Sequence, residues 1–120
     1  MHAFEIPELR FSLPAGGAVA RRRFVMVGTD SKASQCNATG NAIGVSMNAV
    51  ETDKGVTAAQ QVVEIATGLV IVEAAGTIAA GAKVASDANG KAVAQASDAP
   101  VAGIAITAGT AGGVMTVLIK

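Results

Sequence analysis

Few residues in this chain have the chemistry for a reaction. General acid–base catalysis most often uses histidine, and the chain has one, His2, beside Met1. A cysteine nucleophile needs a base to generate its thiolate. Cys36, the sole cysteine, has no histidine in the body of the sequence to serve it. Soft-metal sites take several Cys or His ligands, which are missing here. Asp87-Ala88-Asn89-Gly90 resembles the opening of a calcium loop. It runs on into Lys91-Ala92-Val93-Ala94, without the bidentate acid such a loop requires. The glycines of Gly109-Thr110-Ala111-Gly112-Gly113 lack the lysine and following helix of a phosphate cradle. Asn37-Ala38-Thr39 has the form of a glycosylation acceptor, but no secretory signal precedes it. The sequence therefore predicts no catalytic residue, no cofactor and no metal site, and a protein that is not an enzyme.

Charge narrows the partners. Formal net charge is zero, which gives no global electrostatic case for nucleic acid. Arg21-Arg22-Arg23 is the sharpest cluster, too short and too poor in aromatics to read as a nucleic-acid platform. It reads as a solvated edge that discourages unwanted strand pairing, or as a contact for an acidic protein surface. Leu69-Val70-Ile71-Val72 is the densest apolar run, and Glu73 follows at once, so no membrane span is expected. One cysteine allows no intrachain disulfide, in keeping with assembly in a reducing cytoplasm.

The elements available to position any site are short strands. Of 120 residues, 26 are alanine and three are aromatic (Phe4, Phe11, Phe24). Aromatics usually supply the largest buried areas, so each strand here buries little, and such a thin core points to oligomerisation or docking onto a larger assembly. Pro7 and Pro14 disfavour helix over residues 1–14, which read as an extended N-terminal arm ahead of one β-rich domain over residues 15–120. Strands are expected near 23–28, 42–50, 61–66, 69–74, 82–86, 91–95, 101–107 and 114–119. Thr29–Gly40 reads as a polar loop, Thr67-Gly68 as a separator, and Asn89-Gly90 as a hairpin turn. A short helix near 57–61, opened by the capping-box pattern Thr57-Ala58-Ala59-Gln60, competes with strand there. Two stretches repeat: Ile43-Gly44-Val45-Ser46-Met47-Asn48-Ala49 and Ala102-Gly103-Ile104-Ala105-Ile106-Thr107-Ala108, each followed by a glycine-bearing loop and a second alternating run. Gly44 and Gly103 mark places where a strand bends or another backbone comes close. The expected fold is all-β, a small barrel or sandwich.

Several segments carry a resemblance to a known family. They are Phe11-Ser12-Leu13-Pro14-Ala15-Gly16-Gly17 with Phe24-Val25-Met26-Val27-Gly28, then Ala42-Ile43-Gly44-Val45, then Glu73 to Val84 with Asp87 to Val93. Ala102-Gly103-Ile104-Ala105 through Val114–Ile119 completes the set. The pattern resembles the small capsid decoration, or head cement, proteins of tailed bacteriophages, over most of residues 11–119. The resemblance implies a structural virion protein, made in the host cytoplasm, that binds the outside of the phage head and stabilises the lattice. Its implied partners are the major capsid protein and copies of itself, with a homotrimer favoured. The chain departs from the pattern in its first ten residues and in the longer segment between Ala49 and Gln61. Phe4, Ile6, Leu9 and Phe11 are the expected apolar anchors on capsid or neighbouring subunit, with Arg21, Arg22 and Arg23 adding charge pairing. A tail-tube or fibre module is the alternative within virions, and a small-ligand-binding barrel is the alternative outside them.

Overall fold

The computed structural model describes residues 3–51, 61–96 and 98–119. Its strands, in chain order, are β1 (Ile6–Pro14), β2 (Phe24–Val27), β3 (Ala33–Gln35), β4 (Gly44–Ser46), β5 (Val62–Glu73), β6 (Lys83–Ser86), β7 (Ala92–Ala94), β8 (Gly103–Ala105) and β9 (Val114–Ile119). They form one antiparallel sheet in the order β3-β2-β4-β5-β9-β8-β6-β7, with β1 paired to β5, curled into a half-barrel. Among the described residues the chain is all-β, as its alternating short runs imply.

The long strand β5 organises the rest. Val63 and Ile65 are buried in its first part, while Val62 and Glu64 are exposed; further on, Val70 and Val72 are buried. The buried phase switches between Ile65 and Ala66, because the strand serves two cores on opposite faces. Val63 and Ile65 join one, with Ala15, Val19, Val25, Ala33 and Val50. Ala66, Val70 and Val72 join the other, with Phe24, Val45, Val84, Met115 and Val117. Thr67-Gly68 is therefore no separator. It lies within a continuous strand, Gly68 at φ +94°, opposite a register shift of β1 between Pro7 and Leu9. Only glycine fits there: a Cβ would sit 2.6 Å from the Glu8 amide nitrogen.

The repeated stretches belong to a whole repeated unit. One half is β1–β4 with Val62–Ala66; the other is Leu69–Glu73 with β6–β9. Phe24, Ala33 and Gly44 open β2, β3 and β4, and Lys83, Ala92 and Gly103 open their counterparts, each 59 residues on. The hydrogen bonds repeat too. Cys36 N–H donates to Phe24 O as Gln95 N–H does to Lys83 O, and Ile43 N–H donates to Val25 O as Ala102 N–H does to Val84 O. The isolated bridges Ala15–Ala33 and Val19–Val50 recur as Ala74–Ala92 and Ile78–Gly109. β4 pairs Val45 with Ala66 where β8 pairs Ile104 with Leu118. The final strands are thus 52 residues apart, and the connection into the last strand is seven residues shorter in the second half.

The strand β3 lies inside the segment expected as a polar loop. Ala33-Ser34-Gln35 has weak strand propensity, and tertiary pairing supplies what propensity lacks: β2 pairs along it, and Gln35 Oε1 accepts from Ala20 N–H. The helical reading near 57–61 falls mostly on residues 57–60, outside the described residues.

Candidate functional site

Of the residues singled out for chemistry, His2 lies outside the described residues, and Cys36, Asn37 and Asp87 are engaged locally. Asp87 Oδ1 accepts from the amides of Asn89 and Lys91, so the calcium-like sequence is a self-satisfied turn with Gly90 at φ +77°. Asn37 Oδ1 accepts from the Thr39 amide and hydroxyl in another turn. The Cys36 thiol is buried beneath the seam between the halves and donates to Asn37 O. Burial pushes it above its ordinary value of 9.0, against the opposing pull of hydrogen bonds from Ser86 and Asn37. Such a thiol is inert. Among the described residues, no three His, Cys, Asp or Glu side chains cluster as metal ligands.

The expected contact residues sit in two places. Ile6 and Leu9 project from β1 at 64% and 56% exposure, beyond what a solvated edge strand needs. Phe4 and Phe11 are half-buried: Phe11 packs with Leu13 on the first-half core. Phe4 is held by its backbone, whose N–H donates to Thr116 Oγ1 and whose C=O accepts from it. β1 thus runs from an anchor on β9 along the first part of β5, leaving its other edge unpaired among the described residues.

The arginine triplet divides. Arg21 is exposed on the rim of a shallow depression of about 540 Å³ that Ala18, Val50 and Glu51 also line. Arg22 takes φ +62°, and its amide donates to Ser46 O. Arg23 ties the halves together. Its Nη2 lies 2.9 Å from Glu73 Oε2, its Nη1 donates to Asn89 O, and Lys91 Nζ lies 3.2 Å from the same carboxylate oxygen. Its side chain is 17% exposed and that of Glu73 30%, so the pair is partly shielded from solvent.

One surface escaped the sequence reading. Among the described residues, Val101, Ile104 and Leu118 lie on the outer face of the second half, Val101 half-exposed and the other two partly so, with Leu9 beside Leu118 in one groove. The sequence carried no signal for it: the repeat aligns Ile104 with Val45, and which of the two is covered depends on how the halves pack.

Among the described residues, the surface is thus that of a small β module with apolar residues displayed on an edge strand and an outer sheet face, and with the Arg23–Glu73–Lys91 cluster joining the halves. That is the anatomy of an assembly protein. The family model for phage cement proteins matches residues 6–120, and the chain belongs to that family. It is a structural component of a phage virion. No curated protein matches the chain. Among solved structures, the head fiber gp8.5 N base of bacteriophage phi29 is similar, with a TM-score of 0.70 over 93% of each chain at 21% identity. At that identity the likeness speaks for the fold.

Proposed function

We propose that this protein binds the outer surface of a phage head and cements the capsid lattice, with the major capsid protein as partner. The observation that carries the reading is the displayed edge of β1 in a member of the cement family. Among the described residues, Ile6 and Leu9 are exposed on a strand whose outer edge is unpaired, ready to bury apolar area on a shell. Residues 1–14 act as the attaching segment and residues 15–120 as the module it attaches. Phe4, Ile6, Leu9 and Phe11 form the apolar contact, and Arg21, Arg22 and Arg23 give the neighbouring surface its positive charge. Cementing needs no cofactor and no reaction. It needs many weak contacts multiplied by symmetry, for which a homo-oligomer, a trimer first, is suited.

The test is co-sedimentation with undecorated heads. The doubly substituted Ile6→Asp/Leu9→Asp protein, changed only at exposed positions, is expected to lose most of its head binding while keeping its thermal melt. Deletion of residues 2–12 is the larger version of the same test. If either protein saturates heads with unchanged affinity, β1 is not the anchor. The likeness to a head fiber base favours a second reading, a fibre module. Labelling of virions seen by electron microscopy decides: label spread over the head lattice supports cement, and label confined to the base of projecting fibres supports the second reading.

A further inference from the structure

The second half leaves open a face that the first half keeps covered. In the first half Phe24, Val45 and Ala66 are fully buried against the second half. By strand register their counterparts are Lys83, Ile104 and Leu118. Lys83 is exposed and the two apolar residues are partly so, with Val101 beside them at 50%. Among the described residues, the Phe4 backbone covers this face at its Thr116 margin, and Glu8 and Leu9 of β1 border Leu118 in a shared groove of about 480 Å³. The receiving surface shows the converse. Val70 and Val72, which accept the first half's face, are fully buried, whereas their counterparts Phe11 and Leu13 in β1 are only partly so. Among the described residues, each end of the repeat therefore has less cover than the equivalent surface at its middle.

We propose that a second copy of this chain supplies it. The first half of the second copy docks on the face of Lys83, Val101, Ile104 and Leu118, in the arrangement the two halves adopt within one chain. The repeat names the occupant, because the backbone surfaces that fit each other inside the chain recur at its two ends, with Ala82, Pro14 and Lys32 in the places of the seam's Arg23, Glu73 and Lys91. Charge agrees. At the internal seam Phe24 N–H donates to Gly90 O, and Arg23 Nη1 donates to Asn89 O. One half further on, Lys83 stands where Phe24 stood, and Asp30 and Ser31 of the second copy stand where Asn89 and Gly90 stood. Asp30 and Lys83 are both exposed and opposite in sign. The contact is heterologous, so copies close into a ring where the rotation permits and otherwise extend as a chain.

This deepens the self-association in the proposed function and rests on it. Sedimentation of the purified full chain without heads tests it. Ile104→Glu places a charge in the centre of the contact and is expected to weaken association at least about tenfold, or ~1.4 kcal/mol. Lys83→Glu and Asp30→Lys each weaken it, and the two changes combined in one chain restore it. Ile104→Glu and Phe11→Glu proteins, each unable to extend, form a one-to-one dimer when mixed. If Phe11→Glu melts early, the Lys83/Asp30 exchange stands alone as the test. A wild-type chain that remains monomeric overturns self-association and the face together. A wild-type oligomer that none of these changes disturbs overturns the face and leaves self-association standing. An Ile104→Glu protein that still oligomerises but no longer binds heads assigns the face to the capsid and overturns the proposal.

Discussion

The two halves share a backbone and differ in what their equivalent side chains meet. Phe24 and Lys83 open matching strands, β2 and β6, and their carbonyls accept matching hydrogen bonds. One is fully buried and the other exposed. The backbone plan fixes strand, turn and register, and the position of a half within the pair fixes whether a site is core or surface. Core packing can vary without harm to the plan. Val50 and Val63 line the first core where Gly109 and Met115 line the second, and the Met115 sulfur occupies the space a Cβ on Gly109 would take, 2.6 Å from it.

The sharpest way to break the comparison is at that first pair. Phe24→Ala is expected to cost about 3–5 kcal/mol, since a large buried ring leaves a cavity at the seam. Lys83→Ala at the equivalent position is expected to stay within about 0.5 kcal/mol. Urea melts of the two variants decide it. Equal losses would mean that the halves are not packed as unequal partners.

Next in size are the two glycines at which the halves should agree. A Cβ on Gly44 would lie 2.7 Å from Ala66 O, and one on Gly103 would lie 2.5 Å from Leu118 O. Both obstacles are backbone, in the strand next door, and cannot swing aside. Gly44→Ala and Gly103→Ala are each expected to cost about 1–3 kcal/mol. Thermal melts that show one sensitive and the other silent would reduce the repeat to a resemblance of sequence.

Smaller still is the effect of backbone handedness. Arg22 at φ +62° corresponds to Gly81 at φ +89°, and Ser31 at φ +64° to Gly90 at φ +77°. The turns are the same, but the first half makes them with side chains that disfavour positive φ. Gly81→Ala has open space for its Cβ, so its expected cost of about 1 kcal/mol is strain alone. Ser31→Gly should be neutral or slightly stabilising, relief of strain outweighing the added freedom of the unfolded chain. A clear loss of stability in Ser31→Gly would show that the serine is held by something other than the turn.

These pairs also show what the sequence could reveal. Gly44 and Gly103 stood out because each precedes an alternating run, and the close approach expected of them is present. The continuity of β5 did not stand out. A switch of buried phase at Ile65-Ala66 beside Thr67-Gly68 has the signature of a turn between two strands, since one strand serving two cores breaks the alternation that marks a strand. β3 was hidden for another reason: Ala33-Ser34-Gln35 is made a strand by its partners and not by its own residues. Ile6, Leu9 and Arg21 are as exposed as a contact role needs. The inward turn of Arg23 to Glu73 joins residues 50 apart, and no local pattern announces such a pair. The free face at Ile104 and Leu118 depends on knowing which half covers which, and that is a property of the packed pair.

The least of the expected effects probes the seam itself through Cys36 and its counterpart Gln95. Burial raises the Cys36 thiol above 9.0 in the folded chain, with Ser86 of the second half among its hydrogen-bond partners. A raised value means that the unfolded chain gives up its proton first, so stability is fully present below pH 9 and falls as pH rises beyond it. The slope approaches but cannot exceed ~1.4 kcal/mol per pH unit for a single group. Cys36→Ala should remove this share of the alkaline loss, measured by urea melts across pH 8–10.5, while lowering stability at neutral pH through lost packing. The same thiol reports opening. In native protein Cys36 should react with a thiol reagent far more slowly than a cysteine placed by Gln95→Cys in the Cys36→Ala background, on the half-exposed equivalent site. Equal rates at the two positions would mean that the halves part readily, so that the seam is a hinge, and the face it models at Ile104 would then be too weak to hold a second copy.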